Sequence, residues 1–121
     1  MSEPRLYPFG DSLVPDSFEE HTVILLVRPA DAPMLDAADV DRLQAEYLAY
    51  LREQMRRGVL LANGPLEDQT DERVRGLSVY ALPLEEALAV ARADPMVRAG
   101  WLAIDGGRWL TPPDAARFGS R

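Results

Sequence analysis

Ala93-Asp94-Pro95-Met96-Val97-Arg98-Ala99-Gly100 decides the reading of this chain, because it ends one helix, turns, and leads into a strand. Pro95 disfavours helical backbone at Asp94, and an Asp ahead of a Pro is suited to capping a new short turn of helix. The segment therefore predicts a helix before it, a strand starting near Trp101, and one carboxylate at the junction. Immediately upstream, Pro83 suits a first helical turn, and Glu85 and Glu86 favour the positive end of the same helix. Leu84, Ala87, Leu88 and Ala91 then make its inward stripe.

The periodicity changes on moving further towards the N-terminus. In Arg75-Gly-Leu-Ser-Val-Tyr-Ala81, residues Leu77, Val79 and Ala81 share one face and Gly76, Ser78 and Tyr80 the other, the period-two signature of a strand. Val59-Leu-Leu-Ala-Asn63 reads as a buried strand that breaks at Gly64-Pro65, and the polar run from Glu67 to Arg73 as the connection between the two. A long helix is predicted over 37–57. Asp36 caps it, Asp39 favours its positive end, Val40, Leu43, Tyr47, Leu51 and Met55 form its apolar stripe, Arg56 and Arg57 occupy its last turn, and Gly58 takes the left-handed stop. Thr22-Val-Ile-Leu-Leu-Val-Arg28 is apolar without alternation, so a strand there needs cover on both faces. In the last strand, Gly106-Gly107 reads equally as a bulge or as the tip of a small hairpin. Residues 1–20 carry Pro4, Pro8, Gly10 and Pro15 among scattered acids and read as an irregular extension. The predicted domain spans 21–111, and 112–121 form an irregular tail.

The order strand, helix, strand, strand, helix, strand is that of an α+β, ferredoxin-like βαββαβ fold, with an antiparallel sheet and both helices on one face. Such a sheet leaves its other face bare, and the apolar first strand, Trp101 and Trp109 all need covering. A two-fold homodimer whose sheets close face to face is the economical solution.

Composition narrows the function classes. The chain has 121 residues, 13 Lys and Arg against 20 Asp and Glu, and a net charge of -7, which opposes a phosphate backbone and argues against a nucleic-acid partner. No apolar run approaches the roughly 20 residues that span a bilayer, and Met-Ser-Glu-Pro-Arg lacks the pattern of a secretory signal. No membrane partner is expected, and the protein is expected in the cytoplasm. The sequence has no Cys and one His, which removes disulfides, thiol nucleophiles and histidine-rich metal centres. No metal and no cofactor are expected.

Three segments carry a family likeness: Tyr47-Leu-Ala-Tyr-Leu-Arg52 with Gly58-Val-Leu-Leu-Ala-Asn-Gly-Pro65, then Leu84-Glu-Glu-Ala-Leu-Ala-Val-Ala91, then Asp94-Pro-Met-Val-Arg-Ala-Gly100. In order and spacing they resemble the YCII-related family of small dimeric α/β-barrel proteins. The resemblance covers roughly 22–111 and implies a pocket between sheet and helices in each protomer. It also implies an acid/base dyad between a His on the first helix and the Asp of the Asp-Pro turn. Tyr47 stands where those relatives carry His, so a His-Asp mechanism does not transfer to this chain.

Asp94 reads first as a cap. Facing an apolar cavity, it would also be a base of raised pKa, able to take a proton from a phenol or from carbon beside a carbonyl. Tyr47 lies on the apolar stripe of its helix and reads as a core tyrosine; as a site residue its phenol would donate to a substrate carbonyl and steady a developing enolate. Asn63 sits at a turn where its amide would line the pocket mouth, and Tyr80 shares the polar face of its strand. Arg28 and Arg98 read as surface ion-pair partners or as holders of an anionic substrate, and Trp101 as sheet-face packing or a ligand platform. His21 reads as a strand-entry residue and Tyr50 as a helix-flank residue. The leading expectation is a small, cofactor-independent lyase or isomerase acting on a hydrophobic aromatic or polyketide-like carbonyl compound, with Asp94 as base and Tyr47 as support. The alternatives are a non-catalytic ligand-binding or accessory protein, and a cofactor-independent oxygenase.

Overall fold

The structure, a computed structural model, describes residues 17–118. Most of the irregular extension anticipated over 1–20 lies outside them. The elements run β1 (Glu19–Val27), α1 (Ala37–Arg56), β2 (Leu60–Pro65), β3 (Val74–Tyr80), α2 (Leu84–Arg92), α3 (Pro95–Arg98) and β4 (Ala103–Thr111). The four strands form one sheet in the order β2-β3-β1-β4, with every neighbouring pair antiparallel. This is the ferredoxin-like α+β arrangement, with the two long helices on one face.

The ends of α1 follow from its sequence. Asp36 accepts the backbone N–H of Asp39 at 2.8 Å, satisfying one of the orphan donors of the first turn. At the other end Gly58 has φ +76°, and the N–H groups of Gly58 and Val59 reach back to the carbonyls of Met55 and Gln54. That pair of bonds is the Schellman stop, which needs the left-handed conformation glycine adopts without a Cβ penalty.

One face of β1 meets the helices: Thr22, Ile24 and Leu26 are buried, while Val23, Leu25 and Val27 between them are half-buried on the opposite face. Ile24 joins Leu51, Leu60, Tyr80, Ala87 and Ala91 in a core lying between α1, α2 and the sheet. The Thr22 hydroxyl donates to the carbonyl of Leu82 at 2.7 Å, so its polar group is satisfied inside that core. On β3 the helix-facing residues are Gly76, Ser78 and Tyr80, the more polar of its two sets.

Several expectations are corrected by the packing. Gln54, not Met55, completes the inward stripe of α1: Gln54 is buried and Met55 is 47% exposed. Gly64-Pro65 does not break β2. Pro65 belongs to the strand, which a proline tolerates because β2 lies at the sheet edge, where a missing N–H removes no ladder bond on the open side. Gly106-Gly107 is neither bulge nor hairpin tip, since β4 pairs with β1 in unbroken register from Glu19 opposite Thr111 to Val27 opposite Ala103. Gly106 is crowded from β1 and α2: a Cβ there would stand 2.7 Å from Ile24 Cδ1 and 3.1 Å from Leu88 Cδ2, so those side-chain ends would have to shift. β4 starts at Ala103, two residues after Trp101. β1 reaches back to Glu19, and α1 stops at Arg56 with Arg57 as its cap.

A tighter approach occurs at Gly76, where a Cβ would stand 2.7 Å from the carbonyl oxygen of Gly64 and 3.3 Å from Pro65 Cα. Both obstacles are backbone and cannot rotate away. Gly76→Ala is therefore expected to lower the unfolding free energy by about 1–3 kcal/mol, the usual range for overpacking. Gly64→Ala, which meets nothing within 4 Å, is expected to change it by less than about 0.5 kcal/mol. Urea denaturation of both variants checks the pair, and equal effects would show that the Gly76 contact is not tight.

Candidate functional site

A cavity of about 250 Å³ opens between α1 and the β2-β3 half of the sheet. Leu26, Leu48 and Leu102 give it apolar walls, and Tyr47, Asn63 and Arg75 are among its polar lining groups. Asn63 projects from β2 and donates through Nδ2 to the Ser78 hydroxyl at 2.7 Å and, at 3.5 Å, to Tyr47 Oη. Tyr47 Oη is thus oriented as an acceptor from within the protein, and its own proton remains available to a ligand. Asn63 lines the same cavity, so the wall includes a phenol that can donate and an amide whose oxygen can accept.

Behind this wall lies Asp94, 4% exposed. Its Oδ1 accepts the N–H of Met96 at 2.8 Å, which makes it the N-cap of α3, with Pro95 at the first helical position. Burial pushes its pKa up to about 6, against the counter-pull of the Met96 and Val97 backbone N–H groups. Three phenols surround the carboxylate closely enough to feel its charge. Burial raises the pKa of Tyr47 above its usual value, with the Asn63 hydrogen bond opposing and the Asp94 charge adding to the rise. Tyr80 is raised by burial first and then by Tyr50, Asp94 and Tyr47. Tyr50 is raised by burial and by Asp94, and its hydroxyl donates to the carbonyl of Val90 at 2.7 Å. Tyr50 is therefore a tie between α1 and α2, not the helix-flank residue expected. All three phenols stay protonated near neutral pH, so they serve as neutral hydrogen-bonding groups and not as bases.

The structure brings Asp94, Tyr47, Asn63 and Tyr80 into one cluster. Of these, Tyr47 and Asn63 line the cavity; Tyr80 is a core residue and Asp94 is set back from the wall. Arg28 follows β1, and its guanidinium lies 4.5 Å above the ring of Trp101, a cation–π contact. Arg98 is exposed in the last turn of α3 and takes no part in the cavity. His21 is half-buried on the helix-free face of β1, with its ring 5.0 Å from Phe118 and 6.1 Å from Trp109. Ser78, Gln44 and Arg75 went unrecognised in the sequence. Ser78 had a signal there: it sits between Gly76 and Tyr80 on the face of β3 that turns to the helices. Among the described residues no cluster of His, Asp and Glu has the makings of a metal site.

The sequence profile of the YCII-related domain matches residues 6–104. The chain belongs to the YCII-related family. No curated protein sequence gives a significant match. Among solved structures, the chain is similar to the 5-chloro-2-hydroxyhydroquinone dehydrochlorinase of Burkholderia phenoliruptrix AC1100, solved in complex with 2,5-dihydroxybenzoquinone. The identity is 20%, the TM-score 0.51, and the match covers 74% of this chain and 92% of the other. At that identity the likeness establishes the shared fold. In this YCII-related chain the amide of Asn63 reaches the Tyr47 phenol oxygen from β2.

The raised pKa of Asp94 has a stability consequence. Its folded value of about 6 lies above its ordinary 3.8, so between those values the folded state holds a proton the unfolded state has lost. Stability is then lost as pH rises through that window, by about 3 kcal/mol at 1.36 kcal/mol per unit. Asp94→Asn keeps a capping side chain without the charge. Relative to the native protein it is expected to gain about 3 kcal/mol between pH 4 and pH 7 in denaturant unfolding, and a difference independent of pH would show that the carboxylate is solvated.

Proposed function

We propose that this YCII-related protein binds a single-ring hydroxylated carbonyl compound in the α1–sheet cavity and moves a proton on it as a cofactor-independent lyase or isomerase. The observation that carries this reading is the paired donor and acceptor in the cavity wall. Tyr47 Oη–H donates to a ring carbonyl while Asn63 Oδ1 accepts from a neighbouring ring hydroxyl. At about 250 Å³ the cavity is smaller than the roughly 300 Å³ at which pockets for drug-sized ligands begin, which favours one ring over a fused polyketide. The dehydrochlorinase of similar fold, whose structure holds a dihydroxybenzoquinone, supports the same substrate class by analogy.

In the proposed chemistry Asp94 is the base. A carboxylate of pKa about 6 is unprotonated at neutral pH yet basic enough to accept a proton from a ring hydroxyl or an activated C–H. As that proton leaves, negative charge gathers on the carbonyl oxygen, where the neutral Tyr47 phenol meets it with a hydrogen bond. Loss of a leaving group from the adjacent carbon completes an elimination; return of the proton to a different carbon completes an isomerisation. A second reading, a ligand-binding or accessory protein, is favoured by one observation: Asp94 is set back from the cavity wall, and its Oδ1 is already engaged by Met96.

The helix-free face of the sheet supports a homodimer. Val23, Leu25, Leu77 and Trp109 line a shallow apolar groove of about 560 Å³ there, and Trp109 is 41% exposed. A second sheet closing on the first would cover this surface and give the dimeric α/β barrel. None of the described helices is long and apolar enough to cross a membrane, and the cysteine-free sequence suits the cytoplasm.

The test is turnover and binding with hydroxyquinones and chlorinated hydroquinols, 2,5-dihydroxybenzoquinone among them. Under the enzyme reading, Asp94→Asn lowers kcat/KM by about 100-fold or more, and Tyr47→Phe by about tenfold. Activity of the native protein rises with pH through about 6 and is level above it, because the base must be unprotonated. Binding without turnover, unchanged in Asp94→Asn, establishes the accessory reading instead. Light scattering at micromolar concentration is expected to give twice the 13.4 kDa chain mass, falling to one chain in Trp109→Glu. A single-chain mass for the native protein removes the dimer.

A further inference from the structure

We propose that Arg75, backed by Arg28, forms an anion subsite at the mouth of the α1–sheet cavity, selecting single-ring ligands that carry a negative charge. The inference rests on the reading of that cavity as the ligand site. Arg75 heads the run Arg75-Gly76 on β3, and both residues line the cavity beside Gly64 and Pro65 of β2. Its side chain is exposed, and on its other flank lies a depression whose lining includes Glu67, Asp68 and Glu72. None of those carboxylates comes within 4 Å of a guanidinium, and no described residue pairs with Arg75.

Arg28 brings a second positive charge to the same corner. Its backbone N–H donates to the carbonyl of Arg73 at 2.7 Å, which extends the β1-β3 ladder and sets Arg28 beside the start of β3. Trp101 supports its guanidinium from one side, and the next residue, Leu102, is part of the cavity wall. The buried Nε of Arg28 has no partner among the described residues. Burial and then the charge of Arg75 each lower its proton affinity, so the two cations stand close enough to repel.

This placement is unusual in a chain with seven more acids than bases. Arg56, Arg73 and Arg108 each hold a carboxylate at 2.9 Å or less, yet Arg28 and Arg75 lie near enough to feel each other's charge without one. An anion between cavity and solvent would relieve their repulsion and supply the missing acceptors. A guanidinium fork suits a planar carboxylate or an ionised ring hydroxyl, which it holds by two parallel N–H bonds. The ring then lies inward against Leu26 and Leu102, with Tyr47 and Asn63 on its oxygens.

The probes are 2,5-dihydroxybenzoate and 2,5-dihydroxybenzamide, which share a ring and differ by one charge, titrated calorimetrically into the full chain. The benzoate is expected to bind about tenfold more tightly than the amide, the worth of one charge-assisted contact, and to weaken with added NaCl while the amide does not. Arg75→Gln abolishes the preference, bringing the benzoate affinity down to that of the amide. Arg28→Gln reduces the preference, and Arg28→Lys, which keeps the charge, restores most of it. Thermal unfolding of each variant confirms that it is folded. Equal binding of benzoate and amide by the native protein, or a preference that survives Arg75→Gln, overturns the anion subsite and leaves the cavity reading standing. Failure of both compounds to bind overturns the two together.

Discussion

One hydrogen bond, from the Met96 N–H to Asp94 Oδ1, holds a carboxylate where solvent scarcely reaches it. The bond starts α3, and the four residues of that helix turn the chain from α2 towards β4 while packing against α1. Without a cap at this point α3 would begin with unpaired N–H groups inside the protein, a cost comparable to several lost contacts. With it, the negative charge is buried among three phenols, and each phenol becomes a weaker acid for the company. Structure and chemistry meet in the same side chain.

The two faces of the sheet divide the labour of the fold. The helix side carries the core together with Ser78, Tyr80 and Asn63, and so accommodates polar groups next to Ile24 and Leu60. The opposite side is more apolar, with Val23, Leu25 and Leu77, although none of the described helices covers it. In a sheet covered on one side, alternation normally turns polar residues to water. The inversion is explained if the helix side must hold a polar ligand and the other side another apolar surface.

Most of this architecture was legible in the sequence because it rests on local periodicity. The caps at Asp36 and Asp94, the stop at Gly58 and the stripe of α2 depend on neighbours within four residues, which the sequence displays directly. Gly64-Pro65 and Gly106-Gly107 were misread because their meaning lies across the fold: the first pair is tolerated by an open edge, and in the second only Gly106 is crowded, by Ile24 and Leu88. Met55 yielded to Gln54 because a one-residue rotation of α1 is set by what it packs on. In the candidate site, Asp94 and Tyr47 were visible through their motif and helical position. The depth of Asp94 behind the wall was not, since it depends on how α3 packs on α1, nor was the nearness of Arg28 and Arg75, which depends on the pairing of β1 with β3.

The strand order also governs how the chain reaches its folded state. β1 lies in the middle of the sheet, yet its partners β3 and β4 are among the later elements, with Glu19 opposite Thr111. Neither pairing can form until long intervening segments have been ordered, so loop closure is costly and precedes its reward. Until then the apolar run Val23-Ile24-Leu25-Leu26-Val27 has no ladder on either edge, and an unpaired apolar strand of this kind is a template for association between chains. The interior position that protects both edges of β1 in the finished sheet is thus the one that leaves them open during refolding.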